Sequence, residues 1–321
     1  MLLSTLLAFF VGLAVMLIAS QAFLNVIQEL AAKWRFSPLF ISLVIVALGT
    51  NLPELTVTGV SLYQHDADLA MANLIGSSIA NITLIFGIAV LFNNIRIGTN
   101  KSQKNAVLLL AITVLFVILL LSSVSKTNQV IIFVITISAA LLYQYLSAKE
   151  GRLHEDKRLL DQLQKLYTKK RRYPNFFYAV MLTTTISGLA VGGLVTVNAV
   201  NNLAHILGYA TSVLGLTLTA VSTSLPELLL SILASRKNEN KVVIGTLVGS
   251  NIFNLALFPA IVLWLGEQGP ISNWELYSLL IITIFFSLML FMYKGRNVAK
   301  KVGFGLIAIY LVFVIRTLVV F

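Results

Sequence analysis

Apolar runs of about 20 residues recur from one end of the chain to the other, separated by short polar stretches. A helix rising 1.5 Å per residue needs about that length to cross the hydrocarbon core of a bilayer. The pattern predicts ten such helices, near residues 3–24, 38–63, 69–93, 105–124, 129–148, 175–200, 207–235, 241–265, 275–293 and 302–320. Trp34, Tyr63, Tyr173, Trp264, Trp274, Tyr277 and Tyr293 fall near span ends, where amphipathic rings favour the headgroup region. The fold class is all-α and polytopic, an integral membrane protein with no soluble domain left over.

Composition sharpens that assignment. Of 321 residues, 58% are hydrophobic and only 11% charged, against about 25% charged in a soluble domain. The chain has no cysteine, which removes disulfides, thiolate chemistry and Cys-ligated metals. Residues 1–24 lack a basic leader segment and are read as the first span.

The net charge of +11 could suggest a nucleic-acid partner, but its distribution follows the loops. Loops after odd-numbered spans hold 21 of the 23 basic residues, nine of them between Lys149 and Arg172. Loops after even-numbered spans hold Lys126 alone, with His65, Asp66, Asp68, Glu267 and Glu275. The positive-inside rule then places the basic loops in the cytoplasm and both termini outside. Topology and anionic lipid account for the charge, and no nucleic-acid partner is implied. The long loop is expected to be an amphipathic cytoplasmic helix ending in a basic run.

An internal repeat divides the chain. Shifting the sequence by 173 residues aligns positions 47–84 with 220–257 without a gap, at 12 identities in 38 positions. Ala47, Thr50, Leu52, Pro53, Glu54 and Leu55 fall on Ala220, Thr223, Leu225, Pro226, Glu227 and Leu228. Leu74, Gly76, Ser77, Ile79, Asn81 and Leu84 fall on Leu247, Gly249, Ser250, Ile252, Asn254 and Leu257. Small, polar and helix-breaking residues dominate the matches, which shared hydrophobicity does not generate. Five spans per copy is an odd number, so the ten transmembrane helices form two inverted five-helix repeats. The expected organisation is a first repeat over 1–148 with its core at 38–93, a cytoplasmic linker over 149–174, and a second repeat over 175–321 with its core at 207–265. Inverted repeats of this kind are common in secondary transporters, whose sites lie at the repeat interface near the midplane.

The repeated residues carry the chemistry. Among 12 acidic residues only Glu54 and Glu227 lie deep inside expected spans. A charge there costs about 2.5–3.5 kcal/mol on insertion scales. No span core offers Lys or Arg to offset it, since Arg316 lies near the end of the last span. A bound cation or a proton must balance the pair. Pro53 and Pro226 cannot donate to the carbonyls four residues back, which frees Gly49 C=O and Ser222 C=O inside the membrane. Such carbonyls are tolerated where they line a cavity or meet a ligand. Thr50 and Glu54 are four apart and share a helix face, as do Thr223 and Glu227. Ser77 with Asn81, and Ser250 with Asn254, repeat that spacing beside Gly76 and Gly249, whose lack of a side chain permits close helix approach. Two carboxylates, two amides, four hydroxyls and several carbonyls form a hard-oxygen set suited to Ca²⁺ and Na⁺ rather than Zn²⁺ or Cu²⁺. His65, His154 and His205 lie in or near loops and are read as ordinary polar residues.

The segments GTNLPE and STSLPE, followed by GSSIAN and GSNIFN, resemble the two α-repeats of the sodium/calcium exchanger family, within the Ca²⁺/cation antiporter superfamily. The likeness spans essentially the whole chain. It implies a secondary antiporter, not an enzyme, that exchanges Ca²⁺ for Na⁺ by alternating access at a midplane site. By the resemblance, Glu54, Glu227, Thr50 and Thr223 bind the transported Ca²⁺, each Thr through its carbonyl oxygen. Ala47 and Ala220 through their backbones, with Ser77, Ser250, Asn81, Asn254 and the same two Glu, provide the Na⁺ sites. The first and sixth spans slide across the rest. No cofactor is implied; the partners are inorganic cations and the lipid bilayer, with no obligatory protein partner.

Departures from the family pattern are Asn51 and Ser78, where Ser and Asn are commoner, and the amide at Asn254, where potassium-dependent relatives carry Asp. The short cytoplasmic loop points to a minimal prokaryotic exchanger of the cell membrane. An H⁺-coupled antiporter of the same fold is the alternative. An intramembrane hydrolase lacks an activating group, and a passive channel would show no counter-ion dependence.

Overall fold

A computed structural model describes residues 1–34, 47–93, 95–97, 100–152, 174–237, 239–266 and 271–320. The first part of the expected second span, 38–46, and most of the linker, 153–173, lie outside the described residues.

The described chain is helical. Helix α1 is Leu2–Lys33, α2 is Ala47–Thr50, α3 is Leu52–Tyr63 and α4 is Ala67–Phe92. They are followed by α5 (Asn100–Leu121), α6 (Lys126–Arg152) and α7 (Asn175–Leu207). Helices α8 (Thr211–Thr223), α9 (Leu225–Arg236), α10 (Asn240–Leu265), α11 (Asn273–Met292) and α12 (Lys300–Val320) complete the order. Among the described residues, eight helices are long and apolar enough to cross a bilayer, or nine when α8 and α9, bent by 43° at their junction, count as one.

Several ends differ from the hydropathy boundaries. The first helix runs to Lys33 rather than 24, because Gln28, Glu29 and Lys33 are good helix formers that continue past the apolar stretch. The sixth expected span runs to Leu207, where Gly208 in the left-handed region (φ 73°) closes the last turn.

Burial sorts the spans into inner and outer sets. Helices α4 and α10, which carry the GS segments, have most of their surface inside the protein, whereas α1, α6 and α12 are largely exposed. Many outward side chains of those helices are large and apolar, among them Phe10, Ile18, Ile135 and Val312. That surface suits lipid, which asks no polar group of it.

A large core joins α3–α6 with α9–α12, and Phe86 meets Phe286 edge-on at a centroid distance of 5.3 Å. A second cluster, including Phe9, Met16, Leu189 and Val197, forms mainly where α1 packs on α7. These two helices touch backbone to backbone: a Cβ at Gly192 would lie 2.6 Å from Met16 N and 2.9 Å from Gly12 O. Small residues of this kind let membrane helices associate by close packing alone. The α1–α7 pair leans on the rest through Ser20, whose Oγ donates to Gly49 O at 3.3 Å. Gly49 O is one of the carbonyls that proline releases, so part of its freed capacity goes to the neighbouring helix.

Candidate cation site

Each LPE segment breaks its helix at the same point. Asn51 (φ −92°, ψ 11°) and Ser224 (φ −84°, ψ 11°) leave the α-helical geometry, and Pro53 and Pro226 fall in the first turn of the helix that follows. A proline is well tolerated there because its missing N–H had no intrahelical partner to lose. The four residues before each break, Ala47–Thr50 and Ala220–Thr223, remain helical. Glu54 and Glu227 are thereby placed in the first turns of α3 and α9, where the helix macrodipole favours a negative charge.

Both carboxylates are completely buried. Ser224 Oγ donates to Glu54 Oε1 at 3.1 Å, and Ser250 Oγ to Glu227 Oε1 at 3.0 Å. Among the described residues the second oxygen of each, Oε2, has no hydrogen-bond partner. The carboxylates are close enough for Glu54 to feel the charge of Glu227, and among the described residues neither has a basic partner.

The threonines are shared across the chain. Spacing put Thr50 beside Glu54 and Thr223 beside Glu227, but the break intervenes between each pair. The Thr50 hydroxyl is also near Glu227, and that of Thr223 near Glu54. Ser77 Oγ lies 3.3 Å from Thr223 Oγ1 and donates to Ala220 O at 3.3 Å. Glu54, Glu227, Thr50, Thr223, Ser77, Ser250 and Ala220 thus meet in one connected group. Ala47 heads α2, three residues ahead of Thr50.

The asparagines sit on widened turns. Asn81 opens a π-helical turn, Asn81–Ile85, and Asn254 lies within another, Phe253–Leu257; such turns recur at functional sites. Asn81 Nδ2 donates to Asn251 Oδ1 at 2.9 Å, while Asn81 Oδ1 and both amide atoms of Asn254 have no partner among the described residues. The turn bearing Asn254 packs on the Ala67–Ala80 stretch of α4, which carries Ser77.

Three further residues belong to this network and were not singled out from sequence. Ser224 bonds Glu54 directly. Asn251 also donates to Ser78 O at 3.0 Å, tying together two positions related by the 173-residue offset. Asn73 Oδ1 accepts from Thr223 Oγ1 at 3.3 Å. The available signal was polarity inside an apolar span: Ser224 and Asn251 lie within the repeated motifs, and Asn73 stands four residues before Ser77 on the same face.

Gly76 acts as expected, since a Cβ there would lie 2.4 Å from Leu216 O and 2.8 Å from Ala220 Cβ. For Gly249 a Cβ would meet nothing within 4 Å among the described residues. Its counterparts of Leu216 and Ala220 are Leu43 and Ala47, and Leu43 lies outside the described residues. His65 and His205 are exposed, and His154 lies outside the described residues.

Chemically, the group offers two carboxylate oxygens and several amide and hydroxyl oxygens to a hard cation, with no His or Cys ligand in it among the described residues. Among the described residues no three His, Cys, Asp or Glu side chains cluster, so any ion held here relies on neutral oxygens beyond the two carboxylates.

A polytopic helical protein with buried acids on two broken helices is built on the plan of an ion-exchanging membrane protein. The chain belongs to the sodium/calcium exchanger family, whose model (sodium/calcium exchanger protein) matches residues 4–148 and 177–319. It is similar to the sodium/calcium exchanger MaX1 of Methanosarcina acetivorans, 26% identical over 340 residues covering 95% of each chain. It is also similar to the inner membrane protein YrbG of Escherichia coli, 28% identical over 284 residues covering 87% of this chain and 86% of that one. A solved structure of the sodium-calcium exchanger NCX_Mj superposes with a TM-score of 0.62 at 25% identity, covering 98% of both chains. These relatives place the chain among the prokaryotic members of the family.

Proposed function

We propose that this protein is a secondary antiporter that exchanges Ca²⁺ for Na⁺ by alternating access. The observation that carries the proposal is the pair Glu54 and Glu227: both completely buried, each with one oxygen bonded to a serine and one without a partner among the described residues. Two such charges balance one divalent ion, or can be divided among monovalent ions, and that division is the physical basis of exchange at one site. Membership in the family, and the names borne by its relatives, support the same choice of ions.

In this proposal Glu54, Glu227, Thr50 and Thr223 hold Ca²⁺. Na⁺ is held by Ala47 and Ala220 through their carbonyls, by Ser77, Ser250, Asn81 and Asn254, and by the two carboxylates. Ten spans in two inverted repeats, 1–148 and 175–321 about a cytoplasmic linker, set the helix breaks back to back. Both termini lie outside. Helices α1 and α7 slide as a pair over the core; their separate hydrophobic cluster suits them to move together.

Ca²⁺ uptake into proteoliposomes preloaded with Na⁺, followed with ⁴⁵Ca²⁺, tests the proposal. Uptake should rise steeply with the outward Na⁺ gradient and vanish when choline replaces Na⁺. Uptake driven by a proton gradient and indifferent to Na⁺ would instead establish the H⁺-coupled alternative.

The amide of Asn254 yields a second test. Asn254→Asp adds a third carboxylate to the site and should strengthen binding of monovalent cations relative to Ca²⁺ several-fold, measured as a shift in the Na⁺ concentration that half-inhibits Ca²⁺ uptake. Unchanged competition would remove Asn254 from the ligand set.

A further inference from the structure

Helix α9 is amphipathic in the reverse sense. Its buried residues are Glu227, Ser231, Ala234 and Ser235, while Leu229 and Leu233 are 62% and 56% exposed. A membrane helix that turns its leucines to lipid and its hydroxyls inward is lining something polar. Helix α3 carries the same stripe. Glu54, Thr58 and Ser61 fall within about 60° of one another around the helix axis, and all three are completely buried. The flanks of α3 are already committed, with Thr56 and Val60 against Gly193 of α7 and Leu62 against Gly266. Thr58 and Ser231 are separated by 173 residues, so each stands one turn beyond the glutamate of its own repeat.

The hydroxyls on these stripes are unsatisfied. Among the described residues Thr58 Oγ1, Ser61 Oγ and Ser231 Oγ have no hydrogen-bond partner. A helical Ser or Thr ordinarily bonds the carbonyl four residues back, as Thr83, Thr113 and Thr196 do in this protein. Ser235, the penultimate residue of α9, donates to Ala89 O at 2.8 Å and serves packing. Buried hydroxyls left without partners are rare and need a reason. Thr58 and Ser231 hold the same repeat position in the two halves, each on the face of its carboxylate, whereas the other buried hydroxyls without partners among the described residues, on Ser78, Thr219, Ser278, Thr283 and Tyr310, lie on other helices.

We infer that Thr58 with Ser61, and Ser231, form a tier of neutral oxygen ligands beyond each glutamate, on which a partly dehydrated Na⁺ or Ca²⁺ rests as it enters or leaves the carboxylate pair. The inference rests on the antiport reading above. In the inverted arrangement α3 and α9 run from the site towards opposite faces, so Thr58 and Ser61 serve one side of the membrane and Ser231 the other. The α3 track has two free hydroxyls and the α9 track one, which makes the α3 side the more sensitive to loss.

Sided Ca²⁺ transport in right-side-out and inside-out membrane vesicles tests this. Thr58→Val should raise the KM for Ca²⁺ several-fold on one face with little change on the other. Ser231→Ala should do the reverse and more weakly, and Thr58→Ser should retain wild-type values. Thr58→Ala serves in place of the valine variant should that one not fold. Unchanged KM on both faces, together with a raised melting temperature, overturns the inference. That outcome marks hydroxyls that were merely tolerated, since removing an unsatisfied buried donor stabilises a fold. Equal effects on both faces overturn it as well, by returning Thr58 and Ser231 to the central site. A wild-type chain with no cation exchange overturns the antiport reading itself and the tier with it.

Discussion

Replacing either Glu54 or Glu227 with Gln is expected to bring Ca²⁺ exchange down to the level of empty vesicles while the protein stays folded. Each carboxylate supplies half of the charge that can balance a divalent ion in a site with no other ionised group among the described residues. Glutamine keeps the shape and the bond to Ser224 or Ser250 but removes that charge. A ligand present at about 100 times its Kd stabilises the state that binds it by about 2.7 kcal/mol. Wild-type protein in detergent should therefore melt at a higher temperature when Ca²⁺ is added, and the glutamine variants should not. In the absence of cations the variants should melt no lower than wild type, because an unpaired buried charge has been taken away. Robust exchange by either variant would sink the site assignment. A variant that fails to fold would point instead to a structural role for the carboxylate.

Gly76→Ala should be among the most damaging single-methyl changes at the described glycines. The new Cβ would lie 2.4 Å from the Leu216 carbonyl oxygen and 2.8 Å from its carbon, both main-chain atoms. No rotamer change relieves that contact, so α4 and α8 must separate. Overpacking of this sort costs about 1–3 kcal/mol, occasionally more. The shift acts on the site as well as on stability. Ser77 is the next residue, and its bonds to Ala220 O and Thr223 Oγ1 are already 3.3 Å long. Thermal unfolding in detergent should show a lower melting temperature. Ca²⁺ exchange measured well below that temperature should still be reduced, because the separated helices no longer hold Ser77 against Thr223. A variant with wild-type melting and wild-type exchange would contradict the contact. Gly305, beside which a Cβ meets nothing within 4 Å, is the matched control.

Most of the architecture was legible in the chain because membrane insertion imposes a blunt rule on composition. Apolar runs of fixed length must be helices, and the spacing of Pro53 and Pro226 ahead of buried acids predicted breaks that occur within two residues of each proline. The internal offset was equally plain: α3 and α9, Leu52–Tyr63 and Leu225–Arg236, begin and end at positions related by the same 173 residues. Helix ends were less legible. Lys33 and Leu207 lie beyond the apolar stretches, where local propensity and a left-handed glycine decide, and hydropathy carries no information about either.

The candidate site divides along the same line. Sequence by itself determined which residues are polar where polarity is costly, and so named Glu54, Glu227, Thr50, Thr223, Ser77, Ser250, Asn81 and Asn254. Spacing within one helix could say only who shares a face with whom. Only the tertiary structure decided that Ser77 meets Thr223 of the other repeat, that Ser224 and Ser250 each hold one carboxylate oxygen, and that Asn251 bridges to Asn81 and Ser78. The physical reason is that a buried polar atom takes whatever partner packing brings within 3 Å or so, and packing between two repeats is not written in the period of either one.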